Sequence, residues 1–252
     1  MNGPAAPTEI NDWLPLLERR GFAVVAGCVA DTVIADLCAA LADTSIAEDS
    51  QRQRQGSVYA RRNLLEEVSK VQQLAHSAPI RALVTPVLGA GAFPVRGLLF
   101  DKTPAANWKV AWHQDLAIAV RQRVDVPGFG GWSMKAGVAH VQPPAAILEQ
   151  MLTVRIHLDD CGAENGPLQV LPGSHRVGRL PAAKIQNWRE QAVAEVCLVQ
   201  RGGAVLMRPL LLHASAPAQQ PGHRRVVHLE FAAQALPGGL EWLAAPRFTP
   251  TP

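Results

Sequence analysis

The chain has 252 residues, 48% hydrophobic and 18% charged, a composition that excludes a disordered chain and suffices for one substantial core. Its 24 basic and 21 acidic residues leave a net charge of +3, too balanced to point to nucleic acid as a partner. The longest apolar run, Phe22 to Ala30, is too short to span a bilayer, so no membrane role is expected. The first residues, MNGPAAPTEIND, lack the basic and apolar regions of a signal peptide. Cys28, Cys38, Cys161 and Cys197 show no CxxC spacing, and read as reduced thiols of a cytoplasmic protein.

Residues 1–90 read as mainly helical. Thr8 is placed to cap a helix over Glu9 to Arg20 that Gly21 ends, with Ile10, Trp13, Leu16 and Leu17 on one face. Phe22 to Ala26 reads as a short strand. Asp31 can cap a second helix with Ile34, Leu37, Cys38 and Leu41 inward. The apolar-free stretch Asp49 to Gly56 reads as a mobile loop. Asn63 to His76 predicts a third helix, and Pro79 a fourth that ends near Gly89.

After Gly91 the pattern changes to short strands, the mark of a sandwich or barrel. Phe93 to Phe100 is the first. The glycine- and proline-rich stretch at residues 117–144, irregular from Val120 to Pro144, reads as a candidate lid loop. Met151 to Asp160 alternates, with Val154, Ile156 and Leu158 on one face and Thr153, Arg155, His157 and Asp159 on the other. Asn165-Gly166-Pro167 is a turn signal before Leu168 to Leu171. Pro181 to Arg189 reads as a short helix. Strands follow at Glu195 to Val199, Ala204 to Met207, Leu210 to His213 and Arg225 to Phe231. The strand-rich core thus occupies residues 91–235 of a single domain, and 236–252 form a tail.

Two histidines and one carboxylate leave three positions of a metal open, which suits Fe(II). An extended His-x-Asp aims both side chains one way, and the sequence has two: His113-Gln114-Asp115 and His157-Leu158-Asp159. His213 follows the apolar Leu211-Leu212, and Arg224 opens the next strand. A cation there can hold the distal carboxylate of a dicarboxylic co-substrate through paired hydrogen bonds. From the residues alone, both His-x-Asp pairs remain candidates.

Taken in order, WHQD (Trp112 to Asp115), NGPLQVLPGSH (Asn165 to His175) and LLHAS with the following Arg224 resemble the phytanoyl-CoA dioxygenase family of Fe(II)/2-oxoglutarate oxygenases. The resemblance spans roughly Phe93 to Phe231. It favours His113 and Asp115 over His157 and Asp159, which lie too close to Asn165. It implies a mostly β protein with α-helices, a double-stranded β-helix (jelly-roll) core carrying the N-terminal helices on its larger sheet. It implies iron ligands His113, Asp115 and His213. For 2-oxoglutarate it implies Arg224, with Arg225 as the adjacent alternative, and Ser215; Leu98 and Arg155 are further candidates on the co-substrate side. Arg155 stands where founding members carry an aromatic residue; it either reaches an anionic group or faces solvent.

Trp132, Lys135 and Gln142 from the glycine-rich stretch, and Lys102 either on the rim or in a loop, are the substrate-side candidates; His140 is a weaker one. Gln114 is expected to point away from the metal, and His175 to close a loop. The clusters Arg52/Arg54 and Arg61/Arg62 read as solvated faces. The activity implied is O2-dependent hydroxylation, or related desaturation, of a small organic molecule, with 2-oxoglutarate converted to succinate and CO2. Arg155, Lys102 and Lys135 hint that the molecule is anionic. The retained Asp115 argues against halogenation, which in relatives replaces that carboxylate. Two other readings stand beside it: a cupin-like metal enzyme that does not use 2-oxoglutarate, and a non-catalytic binding module.

Overall fold

Period-two alternation sorts the side chains of the second half of the chain onto the two faces of one large sheet. The computed structural model describes residues 13–42, 50–54 and 57–244. The strands are β1 (Phe22–Val25), β2 (Gln51–Arg54), β3 (Ser57–Arg61), β4 (Phe93–Lys102), β5 (Val110–His113), β6 (Ile118–Val120), β7 (Gly130–Lys135), β8 (Val138–Gln142), β9 (Leu152–His157), β10 (Leu168–Val170), β11 (Glu195–Cys197), β12 (Ala204–Met207), β13 (His213–Ser215) and β14 (Arg224–Ala232). A seven-stranded sheet runs β1-β12-β9-β14-β4-β3-β2, a four-stranded sheet runs β11-β10-β13-β5, and a three-stranded sheet runs β6-β8-β7. The pairings are antiparallel, and the architecture is the expected jelly-roll with helices, without barrel closure.

Strand β14 shows how the sequence builds it. Val227, Leu229 and Phe231 join the core formed with helices α1 (Trp13–Arg20), α2 (Asp31–Ala42), α4 (Ser69–His76) and α5 (Ala78–Leu88). Val154, Ile156 and Leu158, on and just after β9, enter the same core, as their alternation predicts. The intervening residues, Arg224, His228 and Glu230 on β14 and Thr153, Arg155 and His157 on β9, are also buried, on the opposite face. Each buried Leu or Ile contributes about 2–5 kcal/mol against truncation to Ala, so the helical layer fixes the sheet whose other face carries the polar groups.

Several local expectations are corrected. The segment read as a mobile loop contains β2, which pairs with β3 at the edge of the large sheet. The predicted helix at Asn63 to His76 is two, α3 (Leu64–Glu67) and α4, because Val68 turns extended (φ −126°, ψ 98°) and enters the core. Leu210 to Leu212 form a turn, not a strand; Leu211 N–H bonds back to Arg208 O and Leu171 N–H to Leu212 O. The glycine-rich stretch is no irregular loop. It holds β6 and the β7–β8 hairpin, whose Ala136-Gly137 turn has positive φ at both residues (52° and 71°), the geometry that suits a two-residue hairpin. Ile118, Val120 and Val141 there pack with Leu148, Met151 and Trp242 in a second core. The Thr8 cap, the first turn of its helix and the end of the C-terminal tail lie outside the described residues. Among the described residues no helix is long and apolar enough to cross a membrane.

Buried histidines contribute to the acid sensitivity of this fold. Burial pushes His140 down to about 4 and, with Arg155 and Arg224 nearby, His157 down to about 3. The unfolded chain therefore binds protons first, and stability present above about pH 6.5 is lost progressively as the pH falls towards 3–4. The urea midpoint is expected to fall steadily through that window, and His157→Gln to flatten the slope.

Candidate active site

Antiparallel pairing places His213 on β13 directly across from His113 on β5, with ring centroids 4.2 Å apart. Asp115 follows β5, held by its own N–H on Pro209 O at 2.9 Å. His113 Nε2 lies 3.7 Å from Asp115 Oδ1, and His213 Nε2 lies 3.7 Å from Oδ2. Both histidines use the same device. Nδ1 of His113 bonds Ala111 O at 2.8 Å, and Nδ1 of His213 bonds Leu211 O at 2.9 Å. A carbonyl only accepts, so each Nδ1 carries the proton and each Nε2 presents a lone pair.

These residues fit a metal. The three ligand atoms lie within 4.8 Å of one another, and the buried Asp115 Oδ2 has no hydrogen-bond partner. Burial alone would raise the Asp115 carboxyl, but His213, His228, His113 and Arg96 hold it well below the usual range. Burial pushes His213 down to about 3, so its imidazole is neutral and available as a ligand.

The motifs around the triad brace it. Gln114 points away from the ligands, as expected. It donates to Gly178 O (2.8 Å) and Leu210 O (2.7 Å), and accepts from Leu180 N–H (2.8 Å). Ser174 of the PGSH stretch donates to Leu171 O at 2.7 Å and accepts Leu212 N–H at 2.8 Å, locking the residue before His213. His175 bonds Glu18 O at 3.3 Å and closes the loop, as predicted. Ser174→Ala is therefore expected to weaken metal binding by about tenfold or more, read by metal titration, with little change in the fold.

A cavity of about 390 Å3 opens from the triad between the two larger sheets. Leu98, Phe100, Leu168, Ser215, Arg155, Arg224 and His228 line its inner part. Arg224 and Arg225 take opposite faces. Arg224 is buried against the cavity, its Nε without a partner. Arg225 makes a bidentate pair with Asp159, Nε to Oδ2 at 2.9 Å and Nη2 to Oδ1 at 2.6 Å. That pair consumes Asp159 and removes His157-Leu158-Asp159 as a ligand pair; His157 lies buried, with both ring nitrogens unpartnered.

The family model for phytanoyl-CoA dioxygenase (PhyH) matches residues 17–226. The chain belongs to the phytanoyl-CoA dioxygenase family. No curated protein sequence matches significantly. Among solved structures, AviO1 from Streptomyces viridochromogenes Tue57 is similar at 25% identity and TM-score 0.66, over 92% of this chain and 99% of that one. EctD from S. alaskensis, solved with 2-oxoglutarate and 5-hydroxyectoine, is similar at 18% identity and TM-score 0.69, over 92% and 79%. HygX from Streptomyces hygroscopicus, solved with nickel and 2-oxoglutarate, is similar at 16% identity and TM-score 0.60, over 89% and 87%.

Within this phytanoyl-CoA dioxygenase fold the substrate-side expectations change most. Lys102 is neither on a rim nor in a loop. It is 1% exposed on β4, opposite Arg224, and donates to Ser215 Oγ at 2.6 Å and to Ala216 O. Burial, then the charge of Arg224, brings its amine down to about 7. The Ser215 hydroxyl in turn donates to Gly166 O at 3.1 Å. Gly166 has φ +63°, and a Cβ there would lie 2.5 Å from Ala216 O, which explains the glycine of the NG turn. Trp132, Lys135 and Gln142 do not line the cavity. Trp132 packs on the second core with Arg123 over its ring, and Gln142 accepts from Arg179. Lys135 stands at the tip of the hairpin, where burial and then the like charges of Arg62, Arg96 and Arg52 lower the pKa of its amine. His140 bonds Val138 O of its own strand.

The sequence reading missed the groups behind Arg155. Arg155 Nη1 lies 2.8 Å from His228 Nδ1. A guanidinium only donates, so Nδ1 accepts and His228 Nε2–H donates to Glu230 Oε1 at 3.1 Å. Arg96 pairs with the same carboxylate oxygen. Burial would raise Glu230, but Arg96 and His228 hold it below its usual range. Asp115, His228 and Glu230 also bring ligand atoms within 4.8 Å, but both His228 nitrogens and Glu230 are already engaged. The available signal was alternation: Arg224, His228 and Glu230 share one face of a strand whose other residues, Arg225 apart, are apolar.

Proposed function

We propose that this chain is an Fe(II)/2-oxoglutarate-dependent hydroxylase of a small organic molecule. The observation that carries the reading is the convergence, in one cavity, of a His–Asp–His ligand set with a buried arginine whose Nε has no partner. Fe(II), 2-oxoglutarate and O2 when bound supply the oxidising power, with 2-oxoglutarate consumed to succinate and CO2.

His113, Asp115 and His213 would hold the metal where the triad borders the cavity. Arg224 supplies the fork for the distal carboxylate of the co-substrate, with the Lys102–Ser215 pair beside it. Leu98, Phe100 and Leu168 form an apolar wall that limits water at the reacting centre. Asp115 fills the carboxylate position, which fits hydroxylation or desaturation.

The test is succinate release from 2-oxoglutarate by the Fe(II)-loaded enzyme under air, without any prime substrate. Slow uncoupled turnover that Arg224→Ala lowers chiefly through a raised KM for 2-oxoglutarate supports the reading. Turnover of other substrates that is indifferent to 2-oxoglutarate and to Arg224→Ala would instead establish a metal enzyme of another class.

A further inference from the structure

The cavity carries more positive charge than its proposed contents use. Arg52, Arg62, Arg96, Arg155 and Arg224 line it. Among the described residues, two carboxylates stand against these five arginines, Asp115 in the lining and Glu230 behind it. A divalent metal and a doubly charged co-substrate cancel, so loading leaves the excess unchanged. Arg96 is neutralised by Glu230, and Arg224 is taken by the co-substrate on the reading above. Arg155 is oriented by His228 but not neutralised by it. Arg52 and Arg62 remain, at the β2–β3 edge of the large sheet where the cavity opens.

These two differ from ordinary surface arginines. Among the described residues neither is paired with a carboxylate. Arg62 is half-buried, and Arg52 and Arg96 are near enough for their like charges to lower its pKa, after burial itself. Such an arrangement opposes folding unless an anion relieves it. Beside them stand Tyr59 and Trp108, with ring centroids 4.8 Å apart and planes tilted by 55°. Both rings line the same cavity. The mouth thus offers two forked donors next to an aromatic wall, which suits an anionic group on a small apolar or aromatic body.

We propose that the prime substrate is a small organic anion, its carboxylate or phosphate held by Arg52 and Arg62 and its body against Tyr59 and Trp108. This deepens the oxygenase reading and rests on it for the word substrate; the anion site itself rests on the cavity. Arg52 and Arg62 are then specificity-determining residues, distinct from the co-substrate arginine. A cavity of about 390 Å3, near the low end for ligand sites, limits the guest to a small molecule.

The experiment is calorimetric titration of the Zn(II)- and 2-oxoglutarate-loaded protein with benzoate, phenyl phosphate and neutral benzyl alcohol. At least one anion is expected to bind roughly tenfold or more tightly than the alcohol, and to weaken as salt is raised. The better anion tells carboxylate from phosphate. Arg52→Ala with Arg62→Ala should abolish the preference and leave 2-oxoglutarate affinity unchanged, which also reports that the variant is folded. Equal binding of alcohol and anions, no anion binding at millimolar concentration, or a preference that survives the double substitution overturns the proposal. If 2-oxoglutarate itself fails to bind, the oxygenase reading fails; the same titration of the Zn(II) protein alone still reads the anion site.

Discussion

Asp115→Ala is expected to abolish metal-dependent activity and to lower metal affinity by more than about a hundredfold. The reason is local. Asp115 Oδ2 has no hydrogen-bond partner in the folded chain, and the two histidine Nε2 atoms lie 3.7 Å from the carboxylate. Removing it leaves two neutral imidazoles, too few ligands to hold a hard divalent ion against water. The check is thermal unfolding with and without added metal. Metal at a hundred times its Kd stabilises a folded protein by about 2.7 kcal/mol. The wild-type protein should show that shift and the variant should not. A metal-dependent rise in Tm that persists in Asp115→Ala would mean that the ion binds elsewhere.

Glu230→Ala is expected to be among the most destabilising single substitutions, at about 3–5 kcal/mol, because it strands a buried guanidinium. Arg96 and Glu230 have side chains only 11% and 4% exposed, and Glu230 also receives His228 Nε2–H. By contrast Arg225→Ala breaks a bidentate pair near the start of β14, where both partners keep solvent contact, and should cost about 1 kcal/mol or less. Urea unfolding separates the two. The double substitution Arg96→Leu with Glu230→Leu should recover most of the loss, since the charge is removed along with its partner. Loss of the same size in the double variant would show that the pair stabilises the fold outright.

The helical layer and the two faces of the large sheet were legible on Met151 to Asp160, where alternation is a local property; on β14 the same alternation went unread. That Arg224 and Arg225 point apart was legible too, since neighbours on a strand take opposite faces; alternation does not say which of them faces the cavity. The candidate metal ligands were picked out by a motif order, and the strand register brings His113 and His213 face to face. The β7–β8 hairpin was not legible. Its turn is Ala136-Gly137, and alanine with positive φ carries no composition signal. The cavity mouth was missed for a different reason. Arg52 and Arg62 lie in a stretch with no apolar residue up to Gly56 and in a run of basic residues. Only the pairing of β2 and β3 at the sheet edge carries them to Trp108, far along the chain. Lys102 was misplaced because its burial depends on Ser215 and Ala216, which arrive from a distant strand.

Joint binding of a metal and 2-oxoglutarate in one cavity can be tested by anaerobic absorption spectroscopy of the purified protein before any prime substrate is known. A visible charge-transfer band is expected that needs both Fe(II) and 2-oxoglutarate, is absent in His113→Ala, and is weakened in Arg224→Ala until more 2-oxoglutarate is added. A folded wild-type protein that binds the metal yet gives no band with 2-oxoglutarate would contradict it.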